Sequence, residues 1–332
     1  MNILVTGGAG FIGSHTALSL LNRGFKPIIL DNFSNSEPSV LTRMKKIAKH
    51  DFSFVEDDIN DVDLLEWTMV EHNINCVFYF AALKAAGESG CIPLKYYKNS
   101  VSGTITLLEA MQKYNLFKFV FSSSATVYGE PQYLPIDESH PIAPTNPYEQ
   151  TKAIVKQILS DHCQANPEFF ACALRYFNPA GAHVSGLLGE KPMGVPNNLM
   201  PYVVQTAAGI RQKVNIFGND YNTADGTGVR DYIHISDLVD GHVAALESLG
   251  TKPDFHAINL GTGKGYSVLE LISAFSSING TEIDYEISNR RPGDIASSYA
   301  NPPLANTLLN WKAKFGLDDM VKDAWKWQQS NI

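Results

Sequence analysis

Tyr148 and Lys152 stand four residues apart in Asn146-Pro147-Tyr148-Glu149-Gln150-Thr151-Lys152, the pair in this chain best suited to exchange a proton with a hydroxyl. A phenol with a pKa of about 10 is a poor base at neutral pH, but an ammonium within reach lowers it by roughly 1–3 units, up to ~4 kcal/mol of easier deprotonation. A tyrosine tuned in this way can take and return a proton at a sugar or alcohol hydroxyl while a hydride moves at the same carbon. The spacing alone is common, since Tyr114 and Lys118 repeat it, but that second pair straddles an expected helix end at Asn115 and a strand start at Phe117. Around the first pair, Asn146 is suited to cap a helix with Pro147 at its first position and Glu149 reaching back in a capping box. Tyr148 and Lys152 then lie one turn apart on one face. Ser124, in Ser122-Ser123-Ser124-Ala125-Thr126-Val127-Tyr128-Gly129, can share a hydrogen bond with the same hydroxyl.

A second chemistry-bearing segment is Thr6-Gly7-Gly8-Ala9-Gly10-Phe11-Ile12-Gly13, followed by a helical pattern from Ser14 to Asn22. Gly8, Gly10 and Gly13 fit G-x-G-x-x-G, and Gly7, Gly10 and Gly13 fit G-x-x-G-x-x-G. In either spacing, glycines permit a tight turn and bring backbone N–H groups against a pyrophosphate at a helix N-terminus. Asp31 ends the next apolar run, where a carboxylate accepts hydrogen bonds from adenosine ribose hydroxyls and repels a 2′-phosphate. Asn32-Phe33-Ser34-Asn35-Ser36 supplies no arginine to hold such a phosphate, so NAD is expected over NADP.

These segments need a scaffold, and the pattern predicts strands at Ile3–Thr6, Pro27–Asp31, Phe52–Glu56, Cys76–Phe80, Phe117–Ser122 and Phe170–Arg175, with helix-like stretches or loops between. Strands separated by helices require crossover connections, so the expected fold is α/β: a Rossmann-type, doubly wound parallel sheet with helices on both faces. After Tyr176 the rhythm breaks into the loop-like Asn178–Pro196 and Gly218–Gly228, expected to belong to a smaller α/β substrate-binding lobe. Asp231–His234, a helix over Asp237–Leu249 and a strand over His256–Leu260 resume the strand–helix–strand pattern. The expected division is residues 1–176, rejoined by about 231–262, and residues 177–332, with a cleft between.

The chain has 332 residues, a prior of about two domains at ~150 residues each. Lys plus Arg at 26 against Asp plus Glu at 34, without a run of like charge, argue against a nucleic-acid phosphate binder. No stretch approaches the apolar length of a membrane span, and Met1–Thr6 run straight into strand-like sequence without a basic leader. Cys76, Cys91, Cys163 and Cys172 show no C-x-x-C spacing and read as buried thiols in a reducing cytoplasm. The nine histidines form no metal-ligand motif, so no metal is expected.

Thr6–His15, Phe121–Gly129, Leu174–Gly181, Pro196–Pro201, Phe217–His234 and Arg290–Asp294 together resemble the extended short-chain dehydrogenase/reductase family, in particular its members that invert C4 of UDP-hexoses. The similarity covers essentially the whole chain. It implies an NAD-dependent isomerase of galactose metabolism that interconverts UDP-glucose and UDP-galactose through a 4-keto sugar, acting as a cytoplasmic homodimer built on the helices Pro93–Tyr114 and Pro147–Ala165. It makes Tyr148 the base and acid at the 4-hydroxyl, Lys152 its activator and nicotinamide-ribose ligand, and Ser124 the bridging hydroxyl. For the cofactor it implies Gly7, Gly10, Phe11, Ile12 and Gly13 at the pyrophosphate, Asp31, Asn32, Phe33, Ser34, Asn35 and Ser36 at the adenosine ribose, and Asp58 with Ile59 beside the adenine. Phe80, Ala81, Ala82, Leu83, Lys84 and Asn99 line the cofactor cleft, and Phe177 sits near the nicotinamide. Asn178, Asn198, Leu199, Phe217, Arg230, Arg291 and Asp294 are implied for the nucleotide sugar.

Two departures carry information. Ala82 stands where close relatives are expected to have glycine, and Ala125-Thr126 follow Ser124 where related dehydratases carry an acid. Ser298, four residues after Asp294, occupies the position that in this family limits room around the sugar 2-substituent. Its small side chain implies that UDP-GlcNAc and UDP-GalNAc are interconverted as well. The rival readings are a net dehydrogenase or reductase with the same triad, and a non-enzymatic NAD-sensing regulator, which should lack the tyrosine and lysine.

Overall fold

In β1 (Asn2–Thr6), Ile3 and Val5 enter one apolar core and Leu4 the other, so the strand is buried on both faces. That is the demand of a parallel sheet sandwiched between two helical layers. The computed structural model describes residues 1–291 and 293–331; Pro292, in the Arg290–Asp294 string, and Ile332, at the end of the second expected lobe, lie outside the described residues. β1 is followed by β2 (Lys26–Asp31), β3 (Ser53–Glu56), β4 (Cys76–Tyr79), β5 (Lys118–Ser124) and β6 (Phe170–Tyr176). With the strand Phe255–Leu260 they form one seven-stranded sheet in the order Phe255–Leu260, β6, β5, β4, β1, β2, β3. Every pairing in it is parallel. The winding direction reverses between β1 and β4, and ligands of such sheets bind at the carboxyl ends on either side of that point.

β5 and β6 run past their apolar stretches, because Ser122, Ser123 and Ser124 pair in register with Leu174, Arg175 and Tyr176. Backbone bonding carries the polar residues inward, and all three serines are buried. Only Phe255–Leu260 rejoins the first sheet. Tyr232–His234 pairs instead with Asn178–Ala180, a short strand inside the segment expected to be loop. The helix Ile235–Leu249 packs on α1 (Phe11–Asn22) in a shared core with Leu20, and Arg23 extends the contact to Asp240 at 3.2 Å and Glu247 at 2.8 Å.

A separate core forms from Met200 and Val203 of the helix Leu199–Ala207, Leu271 and Phe275 of Val268–Asn279, and Met320 and Val321 of Leu317–Gln329. Two small sheets edge it: Val214–Phe217 with Tyr285–Ser288, and Tyr266–Ser267, Val229–Arg230 and Ser297–Ser298. The expected helix Pro93–Tyr114 is three pieces, Pro93–Tyr96, a π turn over Tyr97–Ser102, and Gly103–Lys113. Of the four thiols, Cys91 is exposed, a correction to the expectation that all are buried; it ends the short helix Ala86–Cys91, whose only buried residue is Ser89. Among the described residues, no helix is long and apolar enough to cross a membrane.

Candidate active site

α1 begins at Phe11 rather than Ser14, so the turn Gly7–Gly10 leads directly into it. Its N-cap, Gly10, offers no side chain, and no acidic residue stands in the first turn. The unpaired N–H groups there are an anion site. Gly7 has φ +65°, and a Cβ on it would lie 2.7 Å from the Ala81 nitrogen and 2.9 Å from the Phe80 carbonyl carbon. A Cβ on Gly13 would collide with the Gly7 carbonyl oxygen. Glycine is therefore required where the first strand, the first helix and the end of β4 meet.

Asp31 is 7 % exposed at the carboxyl end of β2. Its Oδ2 accepts from Ala9 N at 2.9 Å, and its Oδ1 from Phe33 N and Ser36 Oγ, each at 2.9 Å. Three of about four lone-pair directions are used, which fixes the carboxylate and leaves room for one further hydroxyl donor. Asn32 donates to Asp58 Oδ2 at 2.7 Å, joining the segments that follow β2 and β3. Burial alone would raise the Asp58 carboxyl, but hydrogen bonds from Asn60 and Asn32 hold it below the usual range. Ile59 beside it is buried. The π turn places Asn99 so that its Oδ1 accepts from Leu83 N at 3.1 Å, tying the loop after β4 to the helix behind it. Ala81 N donates to Thr6 Oγ1 at 3.4 Å, and Ala82 and Leu83 are half-buried. An uncapped helix start, glycines where a Cβ cannot fit and a fixed ribose-side carboxylate match the donor and acceptor set of a dinucleotide.

Tyr148 and Lys152 share the helix Pro147–Ala165, capped by Asn146 Oδ1, which accepts from Glu149 N at 3.1 Å. The expected capping box closes one residue further out, because Glu149 Oε2 accepts from Thr145 N at 2.7 Å and Thr145 Oγ1 at 2.9 Å. The competing pair falls apart as expected, with Tyr114 ending one helix and Lys118 opening β5. Lys152 is 4 % exposed. Its Nζ donates to Ser122 O at 2.7 Å and lies 4.9 Å from the Phe121 ring centroid and 6.0 Å from that of Tyr148. Burial drives the lysine down to about 7. Burial also pushes the Tyr148 phenol up to about 12, with the Ser124 hydroxyl opposing the rise. The expected lowering of the phenol by the ammonium is therefore not found, because desolvation acts on both groups and the ammonium is turned to a backbone carbonyl. Ser124 Oγ accepts from Thr126 N at 3.2 Å and Thr126 Oγ1 at 3.0 Å, so its hydrogen is directed elsewhere. Ser122 Oγ is hydrogen-bonded to the buried Tyr176 hydroxyl.

Asn178 N donates to Asp231 O at 2.9 Å, and Phe177, just ahead of it, is buried. Asn198 and Leu199 open the helix Leu199–Ala207. The Arg291 guanidinium lies 4.5 Å from the Phe217 ring centroid, and its Nε donates to Asp294 Oδ2 at 2.9 Å. Arg230 Nη1 turns back to Val229 O at 2.9 Å; among the described residues it has no carboxylate partner and is available to an anion. Ser298 pairs with Arg230 in parallel register, so both side chains leave the same face, whereas the Tyr299 ring lies against Gly265.

Asp231 ties together the segments around Arg230, Thr262 and Ala300, a role the sequence reading did not assign. Fully buried, its carboxylate accepts from Thr262 N at 2.9 Å, Thr262 Oγ1 at 2.6 Å, Gly263 N at 2.9 Å and Ala300 N at 3.1 Å. Burial raises its carboxyl despite those bonds. The only available signal was its place beside Arg230 in a long polar string. A second buried network was equally silent: Arg175 Nη1 donates to Tyr128 Oη at 2.8 Å, which donates to Asn259 Oδ1 at 2.7 Å. It braces the turn that follows Ser124.

The family model for GDP-mannose 4,6 dehydratase matches residues 4–324. The UDP-glucose 4-epimerase of Bacillus subtilis is 54 % identical over 332 residues, covering 100 % of this chain and 98 % of that protein. That of Dictyostelium discoideum is 53 % identical over 330 residues, covering 99 % and 96 %. The crystal structure of the UDP-glucose 4-epimerase from Bifidobacterium longum, in complex with NAD+ and UDP, is similar with a TM-score of 0.97 and 48 % identity, covering 100 % of this chain and 99 % of that one. With full-length similarity and the Tyr148–Lys152–Ser124 constellation on a seven-stranded Rossmann-type sheet, this chain belongs to the UDP-glucose 4-epimerases of the extended short-chain dehydrogenase/reductase family.

Proposed function

We propose that this enzyme interconverts UDP-glucose and UDP-galactose with NAD as its cofactor. The observation that supports this reading is the placement of Tyr148 and Lys152 on one helix with the Ser124 hydroxyl at the Tyr148 phenol, on a chain similar to the epimerases over its whole length. NAD would lie on Gly7–Gly13, Asp31–Ser36, Asp58, Ile59, Phe80–Lys84, Asn99 and Phe177, and when bound it supplies the ring that withdraws and returns the hydrogen at C4.

Tyr148 takes the proton of the 4-hydroxyl as the 4-keto sugar forms and gives it back as the keto sugar is reduced. Ser124 holds the hydroxyl oxygen between the two transfers, its own oxygen fixed by Thr126. Lys152, close to half-protonated near neutral pH, can supply the positive charge that a tyrosinate needs. Arg230 and Arg291 neutralise the UDP diphosphate, and Asn178, Asn198, Leu199, Phe217 and Asp294 hold the nucleotide while the hexose presents either face. The side chains of Ala125 and Thr126 carry no acid, which supports epimerisation over dehydration.

Residues 1–176, rejoined by the helix Ile235–Leu249 and the strand Phe255–Leu260, form the cofactor lobe in this reading, and the rest of 177–332 the substrate lobe. The small Ser298, on Arg230's face, supports acceptance of N-acetylated sugars. Leu94, 81 % exposed, with the exposed Ile105 and, just before them, Ile92, supports a homodimer through the helical stretches Pro93–Tyr114 and Pro147–Ala165. Four free cysteines support a cytoplasmic setting.

The test is incubation of purified protein with UDP-galactose and no added NAD. UDP-glucose should form with no steady rise in NADH absorbance. Stoichiometric NADH accumulation would establish a net dehydrogenase, and absence of any turnover with the sugar and cofactor bound would point to a regulator.

A further inference from the structure

Glu190 belongs to neither set of residues above, yet it touches both. Its carboxylate is 9 % exposed, and one oxygen, Oε1, accepts from Lys84 Nζ at 2.9 Å and from Asn198 Nδ2 at 3.0 Å. Lys84 stands on the cofactor-side loop beyond β4, and Asn198 immediately precedes the substrate-side helix Leu199–Ala207. As the N-cap of that helix, Asn198 would ordinarily turn its side chain onto the helix's own N–H groups. It makes no such bond, and its amide is spent on Glu190.

The backbone at Glu190 is fixed as well. Its carbonyl accepts from Trp327 Nε1 at 3.2 Å, and a Cβ on the preceding Gly189 would collide with the Trp327 ring, so the chain there lies flat against the C-terminal helix. The next residue, Lys191, reaches the opposite way to Glu37 Oε2 at 2.8 Å, on the loop that follows the ribose-side strand. This short segment therefore bridges the loops at the ends of β2 and β4.

We infer that Glu190 is a positioning residue that couples cofactor-side Lys84 to substrate-side Asn198, so that the order of one loop sets the geometry of the other. The inference rests on the functional reading above. A carboxylate this buried keeps its place only while its charge is partnered. When Lys84 is lost, Glu190 turns toward water and takes the Asn198 amide with it. When Glu190 is lost, Asn198 falls back onto its own helix and Lys84 no longer influences the substrate side.

The test is a double-mutant cycle read by calorimetric binding of UDP to NAD-saturated protein: wild type, E190A, K84A and E190A/K84A. E190A is expected to weaken UDP about tenfold, the scale of one hydrogen bond to a charged group. K84A, on the cofactor side, should weaken UDP several-fold in the wild type and leave its affinity unchanged in the E190A background. E190Q retains an acceptor oxygen for Asn198 without the charge that holds Lys84; it is expected to bind UDP better than E190A and to abolish the effect of K84A, and it serves where E190A fails to fold. A merely structural Glu190 would lower stability without producing this non-additivity. Independent, multiplying effects of K84A and E190A, or unchanged UDP affinity in E190A, would overturn the inference. A wild type that binds no UDP overturns the functional reading itself.

Discussion

Lys152→Met should make the cofactor-free protein more stable and inactive. Methionine matches the length of the lysine stem and removes its charge. Held at about 7 rather than its ordinary 10.5, Lys152 gives the folded state a buried ammonium below about pH 7, at a penalty of up to about 5 kcal/mol. Above pH 10.5 the amine is neutral whether folded or unfolded and the penalty vanishes. It grows as pH falls from there and levels off below the folded value, so the wild type loses stability toward acid. The substitution also forfeits the bond to Ser122 O, worth about 1 kcal/mol. The net gain is then about 4 kcal/mol at pH 6 and about 1 kcal/mol at pH 9. Urea unfolding of NAD-stripped wild type and variant at both pH values measures it. Equal differences at the two pH values, or a variant less stable at pH 6, would show that Lys152 is not held under a desolvation penalty.

Tyr148→Phe keeps the ring and deletes the proton carrier; turnover of UDP-galactose should fall by roughly 10²–10⁴-fold with NAD content unchanged, and near-normal turnover would remove Tyr148 as the base. Ser298→Tyr places a ring on the face of Arg230, and overpacking against an acetamido group of ~1–3 kcal/mol should reduce the rate on UDP-GalNAc relative to UDP-galactose by roughly 5- to 150-fold. Equal loss on both sugars, or no wild-type activity on the acetylated one, would dismiss Ser298 as the limiting position. Asp231→Asn sets an amide among four donors from two segments, Thr262–Gly263 and Ala300, and should lower the unfolding free energy by about 1–3 kcal/mol, together with weaker UDP binding through the adjacent Arg230. Unchanged urea midpoints would show that Asp231 does not brace the cleft.

The local rules were legible in the chain. Apolar runs bounded by turn residues identify the strands, the glycines at 7, 10 and 13 are dictated by backbone approach, and Asn146-Pro147 starts the helix that sets Tyr148 and Lys152 on one face. Each of these depends on residues within a few positions of one another. The sign of the charges at the site was not legible, because desolvation depends on what packs around Tyr148 and Lys152. β5, Phe121 and the Ser122 carbonyl arrive there from some thirty residues away. Nor could spacing show that Tyr232–His234 leaves the main sheet for Asn178–Ala180, since a strand's apolar pattern does not name its partner. Asp231 and Glu190 carried no assigned role in the sequence. Only the tertiary structure buries them and brings to them donors from segments distant in the chain, because a carboxylate's environment is a property of its neighbours in space rather than of its own position.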